Sequence, residues 1–204
     1  SEPDAGFAAL AASRRVFVIP TLSVLSSLSA RTPGAALASD PALSPYLTSD
    51  AIDGLRSSFG RHGPGLDLSV ALETVKQLSA RSVPILAGTD APNPGTSHGA
   101  SMHGELALLV EAGLSPVDAL IAATSAPARA FRLDRGRIAP DMRADLVLVA
   151  GDPTRDIRTS RAITGVWKVG VRVDRDAYRA SVTADRKAAE TTAQAASAAT
   201  AAGR

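Results

Sequence analysis

The sequence predicts an α/β fold, and three observations predict it. Helical patterns alternate with two short apolar runs, Val16-Phe17-Val18-Ile19 and Val83-Pro84-Ile85-Leu86-Ala87-Gly88-Thr89. Continuous apolar runs of this kind read as strands buried on both faces, as in a parallel sheet. After residue 134 the helical period gives way to closely spaced β-type segments, which marks a second, β-rich unit. The expected organisation is an α/β part over 1–133, a β-rich part over 134–176 and an Ala-rich tail over 177–204.

The elements follow in order. Residues 4–15 form a short helix with Phe7, Ala8, Leu10 and Ala11 on one side, and Val16–Ile19 is the first buried strand, closed by Pro20. Residues 31–48, rich in Pro, Ser and Gly, read as an irregular or loosely helical connection. Asp50–Phe59 is helical, with Ile52, Leu55 and Phe59 at spacings of three and four. Asp67–Arg81 is a stronger helix, with Leu68, Leu72, Val75 and Leu78 on one face. The second buried strand, Val83–Thr89, ends on Asp90. A Pro/Gly/Asn loop over 91–100 leads into a helix over Ser101–Glu111, stopped at Gly113. Ser115-Pro116-Val117-Asp118 is an N-cap with Pro at the first helical position, and Ser125-Ala126-Pro127 starts another short helix. Gly136-Arg137-Ile138 and Asp145–Ala150 are strands, and Ile163–Val173 is a hairpin turning at Lys168-Val169-Gly170. Trp167 is expected in the core of that unit. The tail lacks a bulky apolar face, so it reads as a frayed helix or as disordered.

Composition narrows the chemistry. The chain has no cysteine, which excludes disulfides and thiolate metal sites. It has three histidines, His62, His98 and His103, so any metal site must draw on carboxylates and at most those imidazoles. Lys and Arg number 22 against 20 Asp and Glu, a net charge of +2, with no long basic run. No nucleic-acid partner is expected, and no apolar stretch reaches the roughly 18 residues of a membrane span. The first residues, Ser1-Glu2-Pro3-Asp4, lack the basic start and apolar core of a signal peptide. Cytoplasm is the default placement.

Asp90 is the residue most suggestive of function. A carboxylate at the C-terminal end of a parallel strand stands where β/α barrels and open α/β sheets place their catalytic groups. The plainer reading is a loop carboxylate on an exposed turn. His98, in Thr96-Ser97-His98-Gly99, is either a ligand-contacting loop residue or a histidine bonded to backbone. His103 lies on an apolar helix stripe and reads as a structural anchor, with Glu105 on another face pairing with an Arg or capping a loop. Gathering Asp90, His98, His103 and Glu105 into a self-contained metal site is a weaker alternative, because His98 and His103 miss the i, i+4 spacing. His62 reads as surface loop, and Arg129 and Asp145 as structural.

Several segments together resemble the metal-dependent amidohydrolase superfamily, and within it the imidazolonepropionase-like branch. They are Val83–Ala91, His98-Gly99, His103-Gly104-Glu105-Leu106, Val110–Pro116, Ala119-Leu120, Ala122-Ala123-Thr124, Pro127-Ala128-Arg129, Gly136–Pro140 and Arg143–Val147. The resemblance runs in family order from about residue 16 to 173. Asp141 stands where the family usually carries Gly in a tight turn. The resemblance implies the C-terminal part of a (β/α)8 TIM barrel, strands seven and eight being Val16–Ile19 and Val83–Thr89, followed by a segment of a small β-sandwich. It implies hydrolysis of a C–N bond in a small-molecule amide by a metal-activated water. Asp90 would be both metal ligand and general base, and His98 would contact substrate. The cofactor implied is a divalent metal, zinc first, or iron or manganese. The family's His-x-His pair is missing from the sequence, so the chain is expected to be a fragment, inactive alone. The competing expectation is a non-catalytic remnant or binding module.

Overall fold

The computed structural model describes residues 5–29, 31, 33–60 and 66–202, and His62 lies outside them. Helix α1 (Ala5–Arg14) buries Ala8 and Ala11 and packs on α5 (Leu68–Ala80). Phe7 and Leu10, expected on the same buried side, are exposed. The two helices meet through small alanine side chains, and close approach favours that face over the bulky one. Asp67 caps α5 by accepting the Ser69 N–H at 2.9 Å, a contact worth about 1 kcal/mol in typical helices. Leu68, Val75 and Leu78 form its buried stripe, as the periodicity requires.

Helix α6 (Ala100–Glu111) is the centre of the packing. It touches α2 (Leu22–Leu28), α3 (Pro33–Ala38), α5 and α7 (Pro116–Ala123). Its Leu106, Leu108 and Leu109 join Leu22, Val75, Leu78, Val83 and Ile85 in the larger core. A second core gathers Leu37, Leu43, Leu47 and Leu55, the last from α4 (Ser49–Arg56). In α7 the Ser115 hydroxyl accepts the Asp118 N–H at 3.0 Å and donates to its carboxylate at 2.6 Å, so the expected N-cap is present with Pro116 at N1. Helix α8 (Ser125–Ala130) follows directly, and Arg129 donates to Ser125 within it at 3.1 Å.

The two apolar runs lie side by side and parallel, as expected, but they are not extended strands. Only Val18 and Ile85 pair: Val18 N–H donates to Pro84 O and Leu86 N–H to Val18 O, each at 2.9 Å. Val16, Phe17 and Ile19 are more than 40% exposed, so the first run is not buried on both faces. The physical reason is the supply of ladder partners. Pro20 and Pro84 carry no N–H for a ladder, and among the described residues no further strand flanks the pair.

The expected β-rich stretch holds a three-stranded antiparallel sheet in the order β1 (Leu146–Val149), β2 (Ile163–Lys168), β3 (Val171–Arg172). Leu146 faces Trp167, Leu148 faces Gly165, and the register shifts between Leu148 and Val149. Val169 and Gly170, both at positive φ, make the hairpin turn, the conformation that suits the twist of a two-residue connection. Three expectations fail here. Ile138 is 91% exposed and in no strand. A 3₁₀ segment, Ile157–Arg161, interrupts the strands; it carries the buried Ile157 into the main core. Trp167 is half-buried, its ring lying where a Cβ on Gly165 would stand, with Arg172 stacked over it at 5.9 Å. Asp141 has φ +62°, so the turn there does take the left-handed backbone that Gly adopts without strain.

Asp145 holds the sheet's edge together. It accepts the Val169 N–H at 2.8 Å and pairs with Arg143 at 3.0 Å, Arg135 at 3.3 Å and Lys168 at 3.7 Å. The Val169 N–H first, then Arg143 and Lys168, hold its carboxyl below the ordinary value.

The tail is helical, α9 (Arg175–Ala202), and its first half is docked. Val182 is buried, Asp185 accepts the Ser49 N–H at 3.0 Å, and Arg186 donates to the Leu47 carbonyl just past the 3₁₀ turn Ser44–Tyr46 and to the Ser44 carbonyl at its start. Arg175 stacks on the Tyr46 ring at 4.2 Å. Charged residues at a helix C-terminus satisfy its free carbonyls, so polar anchors dock a helix that lacks a bulky apolar face. None of the helices among the described residues is long and apolar enough to cross a membrane.

Candidate active site

The Val18–Ile85 bridge sets the geometry. It places the ends of both runs together, Ile19-Pro20-Thr21 on one side and Gly88-Thr89-Asp90 on the other. Gly88 makes this approach possible. A Cβ built on it would lie 2.5 Å from Ile19 Cγ2 and 3.9 Å from Thr21 Cγ2. Gly88→Ala is expected to push Ile19 aside and cost about 1–3 kcal/mol, measured by urea unfolding; an unchanged midpoint would contradict the close approach.

Asp90 is exposed, with φ +52°. Its carbonyl accepts from Asn93 Nδ2 at 2.7 Å and from the Asn93 N–H at 3.3 Å. These bonds fix the backbone and leave the carboxylate free of protein donors among the described residues. Asp tolerates the left-handed region better than most residues. The loop that follows is tied down at Gly95, whose N–H donates to Gly54 O at 2.9 Å, and at Ser97, whose N–H donates to Ser101 Oγ at 2.9 Å.

His98 is exposed and lines a crevice of about 330 Å³ with Leu43, Tyr46, Leu47, Val166 and Tyr178. Asp90 is not part of that crevice, and no contact joins the two residues. His103 points elsewhere again. Its Nδ1 lies 3.0 Å from Ser160 Oγ in the 3₁₀ segment. Burial, then Arg161, lowers the His103 pKa from its ordinary value against the pull of Asp40. Asp40 and Arg161 pair at 2.9 Å. The anchoring role read for His103 therefore fits its contact with the 3₁₀ segment.

Glu105 is fully buried and does what the sequence reading did not foresee. It pairs with no Arg among the described residues. Its Oε1 accepts the Leu22 N–H at 2.9 Å, and its Oε2 accepts the Ser23 N–H at 2.7 Å and the Ser23 hydroxyl at 2.8 Å. Leu22 and Ser23 open α2, so Glu105 caps that helix from 83 residues away. Burial pushes its carboxyl up to about 7, against these three hydrogen bonds. A signal was present in the sequence: Glu105 falls four residues from Ser101 and from Leu109, on the same helical stripe, and all three are buried.

The donor set does not by itself fit a metal. Among the described residues no three His, Asp or Glu side chains gather into a site. The alternative of a self-contained centre from Asp90, His98, His103 and Glu105 is not assembled, because His103 and Glu105 are committed to Ser160 and to α2.

Comparison with known proteins follows the same line. Residues 41–173 match the amidohydrolase family. The imidazolonepropionase of Deinococcus deserti is 36% identical over 117 residues, covering 54% of this chain and 29% of that protein. The adenine deaminase of Methanopyrus kandleri is 32% identical over 113 residues, covering 55% of this chain and 17% of that protein. This chain thus spans less than a third of either relative. The crystal structure of an amidohydrolase shares the fold over 83% of this chain and 37% of its own, at TM-score 0.58 and 22% identity. A prolidase complexed with N-methylphosphonate-L-proline does so over 83% and 38%, at TM-score 0.56 and 22% identity. With two thirds of its length matching one family and its fold shared with a solved member, the chain belongs to the amidohydrolase family.

Proposed function

We propose that the chain is the C-terminal part of an enzyme that hydrolyses a C–N bond in a small amide, with Asp90 as its general base. One observation carries the reading. An unpartnered, exposed carboxylate stands at the end of a segment paired in parallel with its neighbour, beside a glycine that only close packing requires. In this reading Val16–Ile19 and Val83–Thr89 are the last two strands of a TIM barrel, and β1–β3 belong to a small β-sandwich beginning near residue 134. The parallel pairing and the much greater length of the relatives support it. A divalent metal, zinc first or else iron or manganese, belongs to the same proposal. The residues of this chain do not hold one alone, and Asp90 would be a single ligand among donors outside it. Such a metal polarises the scissile carbonyl and acidifies water. Asp90 accepts the proton of the attacking water and delivers it to the leaving nitrogen, which requires a carboxylate free of other donors.

The test is hydrolysis by the full-length gene product of a cyclic amide, dihydrouracil, and a linear one, N-acetylalanine, followed by release of the new carboxylate. Turnover of either supports the reading; turnover of neither, or turnover unchanged in Asp90→Asn, ends it. His98 is proposed to contact substrate from its crevice. His98→Ala is expected to raise KM by roughly 3- to 10-fold, the net worth of one hydrogen bond, with kcat little changed. Unaltered KM would leave His98 without a role in binding.

A further inference from the structure

We propose that Thr21 is a substrate-contacting residue of the same site as Asp90. This rests on the hydrolase reading above, and three observations carry it. First, Thr21 has φ +47° and ψ +46°. A β-branched residue in the left-handed region is an outlier, and such strain persists only where the surroundings impose it. Val169 shares this conformation, but it sits in a hairpin turn that calls for it. Thr21 sits at the end of a parallel-paired run, where no turn type demands it.

Second, Thr21 is the N-cap of α2 and does not cap it. A threonine there ordinarily accepts an N–H from the first turn. Glu105 takes the Leu22 and Ser23 N–H groups, and the Thr21 hydroxyl makes no hydrogen bond among the described residues. A buried carboxyl group from a distant helix thus satisfies two of the α2 donors, and the half-exposed Thr21 keeps a hydroxyl with no protein partner among the described residues. Third, that residue stands beside the Asp90 segment. Its methyl lies 3.9 Å from the position of a Cβ on Gly88, two residues before Asp90. The hydroxyl can donate to a carbonyl oxygen or accept from an amide N–H, the two groups that an amide substrate presents.

The experiment compares Thr21→Val, Thr21→Ser and Asp90→Asn in the full-length gene product, with dihydrouracil and N-acetylalanine as substrates. Valine has the shape of threonine and the same backbone strain, so its melting temperature should match wild type. Its KM should rise roughly 3- to 10-fold, the loss of one uncharged hydrogen bond. Serine restores the hydroxyl and should return KM to within about twofold of wild type. A purely structural Thr21 would shift melting temperature and leave KM alone. Wild-type KM in Thr21→Val, with Asp90→Asn dead, overturns the Thr21 assignment and leaves the hydrolase reading standing. Full activity in Asp90→Asn, or no turnover by wild type, removes the hydrolase reading and Thr21's role with it.

Discussion

Asp90→Asn in the full-length gene product is expected to lower kcat by roughly 10²–10⁴-fold, the usual worth of a positioned general base, with stability held within about 0.5 kcal/mol, as for other exposed substitutions. The amide of asparagine has the size of the carboxylate and cannot take the proton. Asparagine tolerates positive φ as readily as aspartate does, and Asp90 has φ +52°. The Asn93 bonds that fix this backbone go to the Asp90 carbonyl, not to its side chain, so they survive the change. Chemistry and fold are therefore separable at this position. Steady-state kinetics with thermal unfolding of the same samples checks both, and a large loss of stability would reassign Asp90 to a structural role.

The second large effect is on stability. Glu105→Ala is expected to cost about 3–5 kcal/mol. It leaves the Leu22 and Ser23 N–H groups buried without acceptors and opens a cavity between α6 and α2. Glu105→Gln should cost less than Glu105→Ala, about 1–2 kcal/mol at about pH 5, because the protonated acid keeps a lone pair on its hydroxyl oxygen, whereas the amide NH₂ cannot accept and must face a backbone donor whichever way it turns. Urea unfolding followed by circular dichroism reads both values, and a Gln variant as stable as wild type would show that one oxygen suffices.

The same residue gives a pH dependence whose sign can be worked out. Its folded pKa, about 7, lies above the ordinary 4.5, so the folded chain binds the extra proton between those values. Its contribution is fully present below about pH 4.5 and is lost as pH rises through 7, a span of roughly 3 kcal/mol. His103 works in the opposite direction. Its pKa is lowered by burial, so stability linked to it falls as pH drops through the ordinary histidine value. Comparing wild type with Glu105→Gln between pH 5 and 8 cancels the His103 part. The wild type should lose stability relative to the variant as pH rises, and parallel curves would contradict the burial of a protonated Glu105.

Helices and caps were legible because their causes are local. The stripe Leu68, Val75, Leu78 and the Ser115-Pro116 start depend on residues within one or two turns, and both are present. The adjacency of Val16–Ile19 and Val83–Thr89 was implied by the family resemblance, and the runs do lie side by side at Val18 and Ile85. Family membership was carried by a set of short segments in a fixed order, which the comparisons support.

What the sequence could not decide was whatever depends on partners far away along the chain. The extent of the parallel pair depends on neighbouring backbone to continue the ladder, and a run of apolar residues does not contain that information. The docking of α9 rests on Arg186 meeting the carbonyls of Ser44 and Leu47, groups whose availability exists only once the 3₁₀ turn has formed. Glu105 and Thr21 show the same limit at the site. From sequence, one is an acid on a helix and the other a threonine after a proline. Only the fold brings them into one arrangement, because a buried N–H must find an acceptor and the nearest is 83 residues away. Sequence by itself determined the family, the helical stripes and the position of Asp90. Tertiary packing decided which polar groups were consumed by distant backbone, as Glu105 and Arg186 are, and which were left free for chemistry.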